Sequence, residues 1–215
     1  MPRLKIHRED TFKGYEIIDE YRRVSTKKNV REFYTKCLEA IYNLGQHAIA
    51  TMSRPEAFMY TFCFTDDHKD FKISEVIERI NDVYNVPKKR RKEKNTFKPL
   101  IYWCRELSTN KEHAYKDHVH YHLLCIVDKS KGRIGAARFI IKRLRKQGII
   151  KTASISKDAD KSKNYTYQGK SLKDYAIVNL KSEFPRYMYW FAYLAKVETR
   201  HLEGGRSWGC SNITS

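Results

Sequence analysis

The chain has 215 residues, 41% of them apolar and 13% aromatic, which suffices for one packed domain and excludes a disordered basic tail. Its 43 lysines and arginines against 25 acidic residues leave a net charge of +18, spread along the sequence. A polyanion such as a nucleic acid is the expected partner. Ribosomal and membrane-surface proteins share this composition, so the charge indicates no chemistry by itself.

Neither a secretory signal nor a membrane span is predicted. The opening "MPRLKIHREDTFKGYE" has no apolar core segment, and no run approaches the ~20 apolar residues that a spanning helix needs. The five cysteines are isolated and are expected to be reduced thiols, mostly in the core: Cys37, Cys63, Cys104, Cys125 and Cys210. These features predict a cytoplasmic protein without a membrane partner.

The hydrophobic pattern predicts strands and helices that begin in a β-α-β-β-α order. Residues 1–52, with helical spacing over 30–52, are expected to form an N-terminal helical extension to a domain over 53–215. The further predicted elements are, in chain order, a strand over 56–67, a helix over 72–86, strands over 99–108 and 118–128, a helix over 135–148, a strand over 173–181 and a helix over 182–200. This order favours an α+β fold, a single domain whose central antiparallel sheet has helices packed on one face.

A basic segment, "PKKRRKEKNTFK", separates the second helix from the next strand. It holds seven basic residues and one acid, which predicts an exposed loop. A solvated charge run, a nuclear-import signal in a eukaryotic protein and contact with a phosphate backbone all fit this composition.

The stretch "EHAYKDHVHYHLLCIVD" places four of the eight histidines within ten residues. Alternation along a strand puts His118, His120 and His122 on one face. One such histidine is commonly a hydrogen-bonded core residue, but several together would leave costly unsatisfied ring nitrogens unless they share a ligand. If residue 106 pairs with residue 120, Glu106 joins that face, whereas a slip of one residue would turn it away. Two imidazoles and a carboxylate suit Mg²⁺ or Mn²⁺ when phosphate oxygens complete the shell, and could also take Zn²⁺.

Several short stretches resemble motifs of one enzyme superfamily. "FCFTDD", "HYHLL" and "YLAK" resemble the first-strand, histidine and tyrosine motifs of the HUH endonucleases, the nickases that start rolling-circle replication and conjugative transfer. With "YWCRE" before the histidines and "RSWGCS" near the end, the chain from Phe58 to Cys210 looks like the filamentous-phage replication-initiator family and its prophage relatives. A histidine pair alone also occurs in cupins and zinc hydrolases, so the resemblance depends on all the elements in this order.

The resemblance implies a metal-dependent, site-specific single-strand DNA endonuclease and strand transferase. Such an enzyme would initiate rolling-circle replication through a 5′-phosphotyrosine intermediate, in the cytoplasm of a bacterial host. On the matching positions Tyr193 is the nucleophile and Lys196 its supporting cation, while His120, His122 and Glu106 hold Mg²⁺ or Mn²⁺.

Other residues have subsidiary expected roles. His118 fits the histidine face and could hydrogen-bond a ligand or DNA. Paired-tyrosine members of the superfamily often carry a second tyrosine just after the first or four residues on, where this chain has Val197, so Tyr189 is the alternative nucleophile. Contacts with the DNA backbone are expected from Arg90, Arg91, Lys142, Arg143 and Arg145.

The expected partners are single-stranded DNA at a replication origin, a host helicase and a host single-strand-binding protein. Two other functions fit the same residues: a basic DNA-binding regulator that lacks the chemistry, and a zinc hydrolase that forms no covalent DNA adduct. An aromatic-rich segment such as 187–194 is also more often core than catalytic. Without the resemblance, Tyr193 would rank no higher than Tyr189.

Overall fold

The computed structural model of the chain describes residues 5–17, 32–85, 97–107, 119–132, 135–155, 166–167, 170–171, 177–197 and 207–213. Within these ranges the helices are α1 (Thr35–Thr51), α2 (Ile73–Asn85), α3 (Gly135–Lys146) and α4 (Leu180–Phe191), with short 3₁₀ turns at Asp66–His68 and Ala192–Ala195. The strands are β1 (Ile6–His7), β2 (Thr11–Phe12), β3 (Tyr15–Glu16), β4 (Phe33–Tyr34), β5 (Pro55–Phe64), β6 (Leu100–Leu107), β7 (Val119–Asp128), β8 (Ile150–Ile155), β9 (Thr166–Tyr167), β10 (Lys170–Ser171), β11 (Ile177–Asn179) and β12 (Trp208–Cys210).

The largest sheet in the described part of the chain has six antiparallel strands. Its order is β11-β5-β7-β6-β12, and β8 pairs with the same edge of β5 that β11 uses. The two occupy different stretches of that edge, because β11 pairs with residues 56–58 and β8 with residues 60–64. The predicted α+β class with a central antiparallel sheet is confirmed, and so are the predicted strands that became β5, β6 and β7.

Helices cover both faces of this sheet, whereas the sequence predicted one. Strand β5 is buried along nearly its whole length, so the side chains on both of its faces need cover. Tyr60 points towards Tyr84 of α2 and Arg138 of α3, which lie near enough to affect its pKa electrostatically. Its neighbour Thr61 points to the opposite face, which α1, α4 and the 3₁₀ turn after α4 cover.

Helix α1 packs tightly against α4. The Tyr187 hydroxyl of α4 donates a hydrogen bond of 2.7 Å to the carbonyl of Ile41. A β-carbon added at Gly45 would lie 2.6 Å from a ring carbon of Tyr187 and 2.7 Å from one of Phe184, so the glycine permits this close approach. The helix therefore belongs to the same core as the sheet.

The N-terminal region differs in part from its prediction. The helix predicted over 30–52 begins only at Thr35, because Phe33 and Tyr34 pair as β4 with β1. Residues 5–17 contain short strands instead of helix. Backbone pairing between β1 and β4 is a tertiary contact that hydrophobic periodicity does not register. The boundary at residue 52 stays a prediction.

The C-terminal helix is shorter than predicted. The helix expected over 182–200 starts at Leu180, where the Asn179 side chain caps it, and ends at Phe191. A 3₁₀ turn continues to Ala195, and Lys196 is extended. An isolated bridge from Lys196 to Phe33 and a hydrogen bond from Val197 N to Glu32 O hold the chain in this extended course. The predicted strand over 173–181 is seen as β11; its residues 173–176 lie outside the described ranges.

Among the described residues, every helix is too short or too polar to cross a membrane.

Candidate metal centre and tyrosine site

Two neighbouring strands bring the predicted ligands together. Glu106 on β6 pairs directly with His120 on β7, and Cys104 pairs with His122, which is the register expected from the sequence. His120 and His122 are two residues apart and share a face with Glu106. All three side chains are buried, with 1% of Glu106, 3% of His120 and 6% of His122 exposed.

The three side chains converge on one Glu106 oxygen. His122 Nε2 lies 3.3 Å and His120 Nε2 lies 3.6 Å from Glu106 Oε2. The two imidazole rings meet edge to face, with centroids 4.9 Å apart. One ligand atom from each residue lies within 4.8 Å of the other two.

This arrangement fits a divalent cation. Ligands about 2.1 Å from one ion, at angles of about 90–110°, lie roughly 3.0–3.4 Å apart, close to the 3.3 and 3.6 Å between the histidine nitrogens and Glu106 Oε2. A set of two nitrogens and one carboxylate leaves coordination positions open for phosphate oxygens or water. The Glu106–His120–His122 group could therefore hold a metal ion, and the donor set alone does not select which metal.

Thr61 on β5 orients one of the ligands, a contact that sequence reasoning missed. Its Oγ1 lies 2.8 Å from Nδ1 of His122, because Thr61 and His122 are direct partners between β5 and β7. When Nδ1–H donates to this hydroxyl, the lone pair of Nε2 faces Glu106 and is available to a metal. The signal was present in the sequence, since Thr61 lies on a predicted strand, but the pairing of that strand with β7 was not predicted.

The tyrosine and lysine of the "YLAK" segment lie against this group. Lys196 Nζ donates a hydrogen bond to the Tyr193 hydroxyl, lies 3.7 Å from the centre of the Tyr193 ring and is 3.5 Å from Glu106 Oε2. The Tyr193 ring also meets His122 edge to face, with centroids 5.8 Å apart. Lys196 directly follows the 3₁₀ turn, and its backbone N–H donates to the carbonyl of Tyr193, so a 3₁₀ turn and not the predicted α-helix brings the two side chains together.

The surroundings of Glu106 and His122 shift the pKa of each side chain and so determine its charge near neutral pH. Burial alone would raise the pKa of Glu106, but His122, Lys196 and His120 outweigh it and hold that pKa well below its usual range. Burial lowers the pKa of His122, and the attraction of Glu106 only partly opposes this. Near neutral pH, Glu106 is therefore a carboxylate and His122 is a neutral imidazole, the forms in which both bind metals.

The remaining predicted residues differ in exposure and position. Tyr189 is 2% exposed, whereas Tyr193 is half-buried. The exposed basic residues of α3 lie beyond the opposite face of the sheet: Lys142, Arg143 and Arg145. Three predicted residues lie outside the described ranges: His118, Arg90 and Arg91.

Comparisons of the chain with protein-family models, with curated proteins and with solved structures found no match. Fold and site thus define an α+β domain with a buried candidate metal centre beside a tyrosine–lysine pair. The function must be argued from that geometry.

Proposed function

We propose that this protein is a metal-dependent single-strand DNA endonuclease and strand transferase that starts rolling-circle replication. One observation carries the proposal: a half-buried tyrosine contacts both a lysine and a group of two histidines and one glutamate that could hold a divalent cation. The sequence resemblance to HUH endonucleases supports it from independent positions along the chain.

Tyr193 is the proposed nucleophile. Its Oη attacks the phosphorus of a phosphodiester, a P–O bond to tyrosine forms, and the bond from phosphorus to the 3′-oxygen breaks. The phenol proton leaves through solvent and the 3′-oxygen gains one, so the products are a 5′-phosphotyrosine and a free 3′-hydroxyl. A second 3′-hydroxyl can reverse the step and rejoin the strand, because the phosphotyrosine conserves the bond energy.

Lys196 has the proposed role of stabilising the tyrosinate. A free phenol titrates near 10, so attack at neutral pH needs a nearby positive charge. The ammonium of Lys196 donates to the Tyr193 oxygen and is itself held by Glu106. The same cation would stabilise the charge that develops on the phosphate during attack.

Glu106, His120 and His122 would hold Mg²⁺ or Mn²⁺. When bound, the ion would neutralise the non-bridging phosphate oxygens and help to align the phosphate for in-line attack. Thr61 keeps the His122 ring in the orientation that this role requires. The proposed partners are an origin single strand, a host helicase and a host single-strand-binding protein, in a bacterial cytoplasm.

A denaturing gel tests the proposal. Labelled single-stranded DNA from the replication origin of the source element is incubated with protein and Mn²⁺, for the wild type, Tyr193→Phe and the matched control Tyr189→Phe. We expect an adduct that EDTA abolishes, that Tyr193→Phe lacks and that Tyr189→Phe retains. DNA binding without adduct or cleavage would favour the regulator instead, and metal-dependent cleavage that needs no tyrosine would favour a zinc hydrolase.

A further inference from the structure

Helix α3 carries an exposed aromatic residue amid positive charge. Its sequence from Gly135 to Lys146 contains five basic residues and no acid. Phe139 is 59% exposed, the most exposed large apolar side chain in the described part of the chain. An isolated exposed apolar residue needs no explanation, but its surroundings here are unusual.

The helix geometry places Phe139 at the centre of the solvent-facing side. The buried residues of α3 form one stripe: Ala137, Ile140, Ile141 and Leu144. At 100° per residue, Phe139 lies opposite the middle of that stripe, and Lys142, Arg143 and Lys146 follow it at i+3, i+4 and i+7 on the same side. All three are exposed. The outer surface of α3 is therefore one aromatic ring bordered by three cations, which we call the α3 crest.

A cleft beside the crest extends the basic surface. It lies between α2 and α3, has a volume of about 480 Å³ and is lined in part by Arg79, Asp82, Arg143 and Gln147. Arg79 is held in place there, with its guanidinium over the Phe71 ring and a hydrogen bond of 3.5 Å to Gln147. Asp82 is the acidic residue in the lining, so the cleft has a net positive charge.

We propose that the α3 crest binds single-stranded DNA, with a base stacked on Phe139 and phosphates in contact with Lys142, Arg143 and Lys146. That the nucleic acid is DNA rests on the proposed function. A ring on a convex surface can stack only on an unpaired base, since bases within a duplex already stack on each other. The cations at the end of α3 also suit the negative end of its dipole, but that explanation gives no role to Phe139.

The crest lies on the opposite side of the sheet from the metal centre. It would therefore hold a segment of the strand remote from the scissile phosphate, which adds affinity without taking part in the chemistry. Arg79 and Arg143 in the adjoining cleft offer a path for the phosphates that leave the crest.

Fluorescence anisotropy with a labelled oligo(dT) tests this, using the full chain in EDTA so that no scission occurs. Phe139→Ala should weaken binding about 5- to 150-fold, the effect of losing one stacked base, while Phe139→Trp should retain it. Lys142→Gln and Lys146→Gln should each lower the salt dependence of the association constant by about 0.7 in the logarithmic slope. Lys181→Gln, which removes a charge that is also exposed but lies on α4, should change this slope less.

Several results would overturn the proposal. Unchanged oligo(dT) binding by Phe139→Ala would do so, as would equal losses on oligo(dT) and on a duplex of the same length. If the wild type is a dimer that dissociates in Phe139→Ala while DNA binding persists, the crest binds a second copy of the chain instead. If no adduct forms in the gel experiment but oligo(dT) binding still depends on Phe139, the nickase proposal alone is refuted. If the adduct forms but binding does not depend on Phe139, the crest proposal alone is refuted.

Discussion

Replacing Glu106 with glutamine tests whether the buried charges of the centre hold one another in place. The substitution keeps the shape and removes the charge from a side chain that is 1% exposed. Lys196, itself 6% exposed, would lose a carboxylate oxygen 3.5 Å from its ammonium. Removing one partner from a buried ion pair costs about 3–5 kcal/mol. We expect a loss of that size in the free energy of unfolding.

Urea denaturation in EDTA near pH 7 measures this loss without any contribution from metal. Glu32→Gln is the matched control, because Glu32 pairs at 2.9 Å with Arg8 and both side chains are open to solvent, 40% and 66% exposed. Such an exposed pair contributes about 0–1 kcal/mol. If Glu106→Gln costs less than about 1 kcal/mol, or stabilises the protein, the charge network described here is wrong.

Three further predictions concern metal, packing and pH. Mn²⁺ at 100 times its dissociation constant should raise the free energy of unfolding of the wild type by about 2.7 kcal/mol, and EDTA should reverse this gain. His122→Ala should not be stabilised by Mn²⁺, and an equal gain in that variant would contradict the assigned ligands. Thermal melts should show that Gly45→Ala lowers the free energy of unfolding by about 1–3 kcal/mol, since the new β-carbon would lie 2.6 Å from the Tyr187 ring, whereas Gly135→Ala, with no atom within 4 Å of its β-carbon, should be tolerated. Burial raises the pKa of Asp128, but four hydrogen bonds to its carboxylate outweigh this and lower the pKa below its usual value. The carboxylate therefore stabilises the fold fully above the unfolded pKa of about 3.9, and this stabilisation is lost as the pH falls below that value. Asp128→Asn should therefore cost about 1.5–3 kcal/mol near pH 7, with a gap to the wild type that narrows below about pH 4; a gap independent of pH would refute the assignment.

The sequence predicted the sheet centre well because its signals there are local. Strands β6 and β7 are long apolar runs that follow each other in the chain, so antiparallel pairing was the natural assumption. The register of Glu106 opposite His120 then followed from one guess about the loop, and the structure confirms it. That pairing added Glu106 to His120 and His122, which alternation along their own strand had already placed on one face.

Tertiary contacts explain what the sequence did not predict. The aromatic residues around Trp190 keep a helical period, yet the chain is extended by Lys196, where it pairs with Phe33 and Glu32. The contact of Thr61 with His122 likewise depends on β5 and β7, which are separated by a helix and a strand, lying side by side. Periodicity in one segment carries no information about either contact.

Mass spectrometry of the covalent adduct would test the central claim most directly. Wild-type protein is incubated with Mn²⁺ and origin single-stranded DNA, digested with a nuclease and a protease, and the peptide that carries the nucleotide is sequenced. The proposed mechanism predicts a 5′-phosphate ester on Tyr193. A modified Tyr189, a modified residue elsewhere, or cleaved DNA without any modified peptide would contradict it.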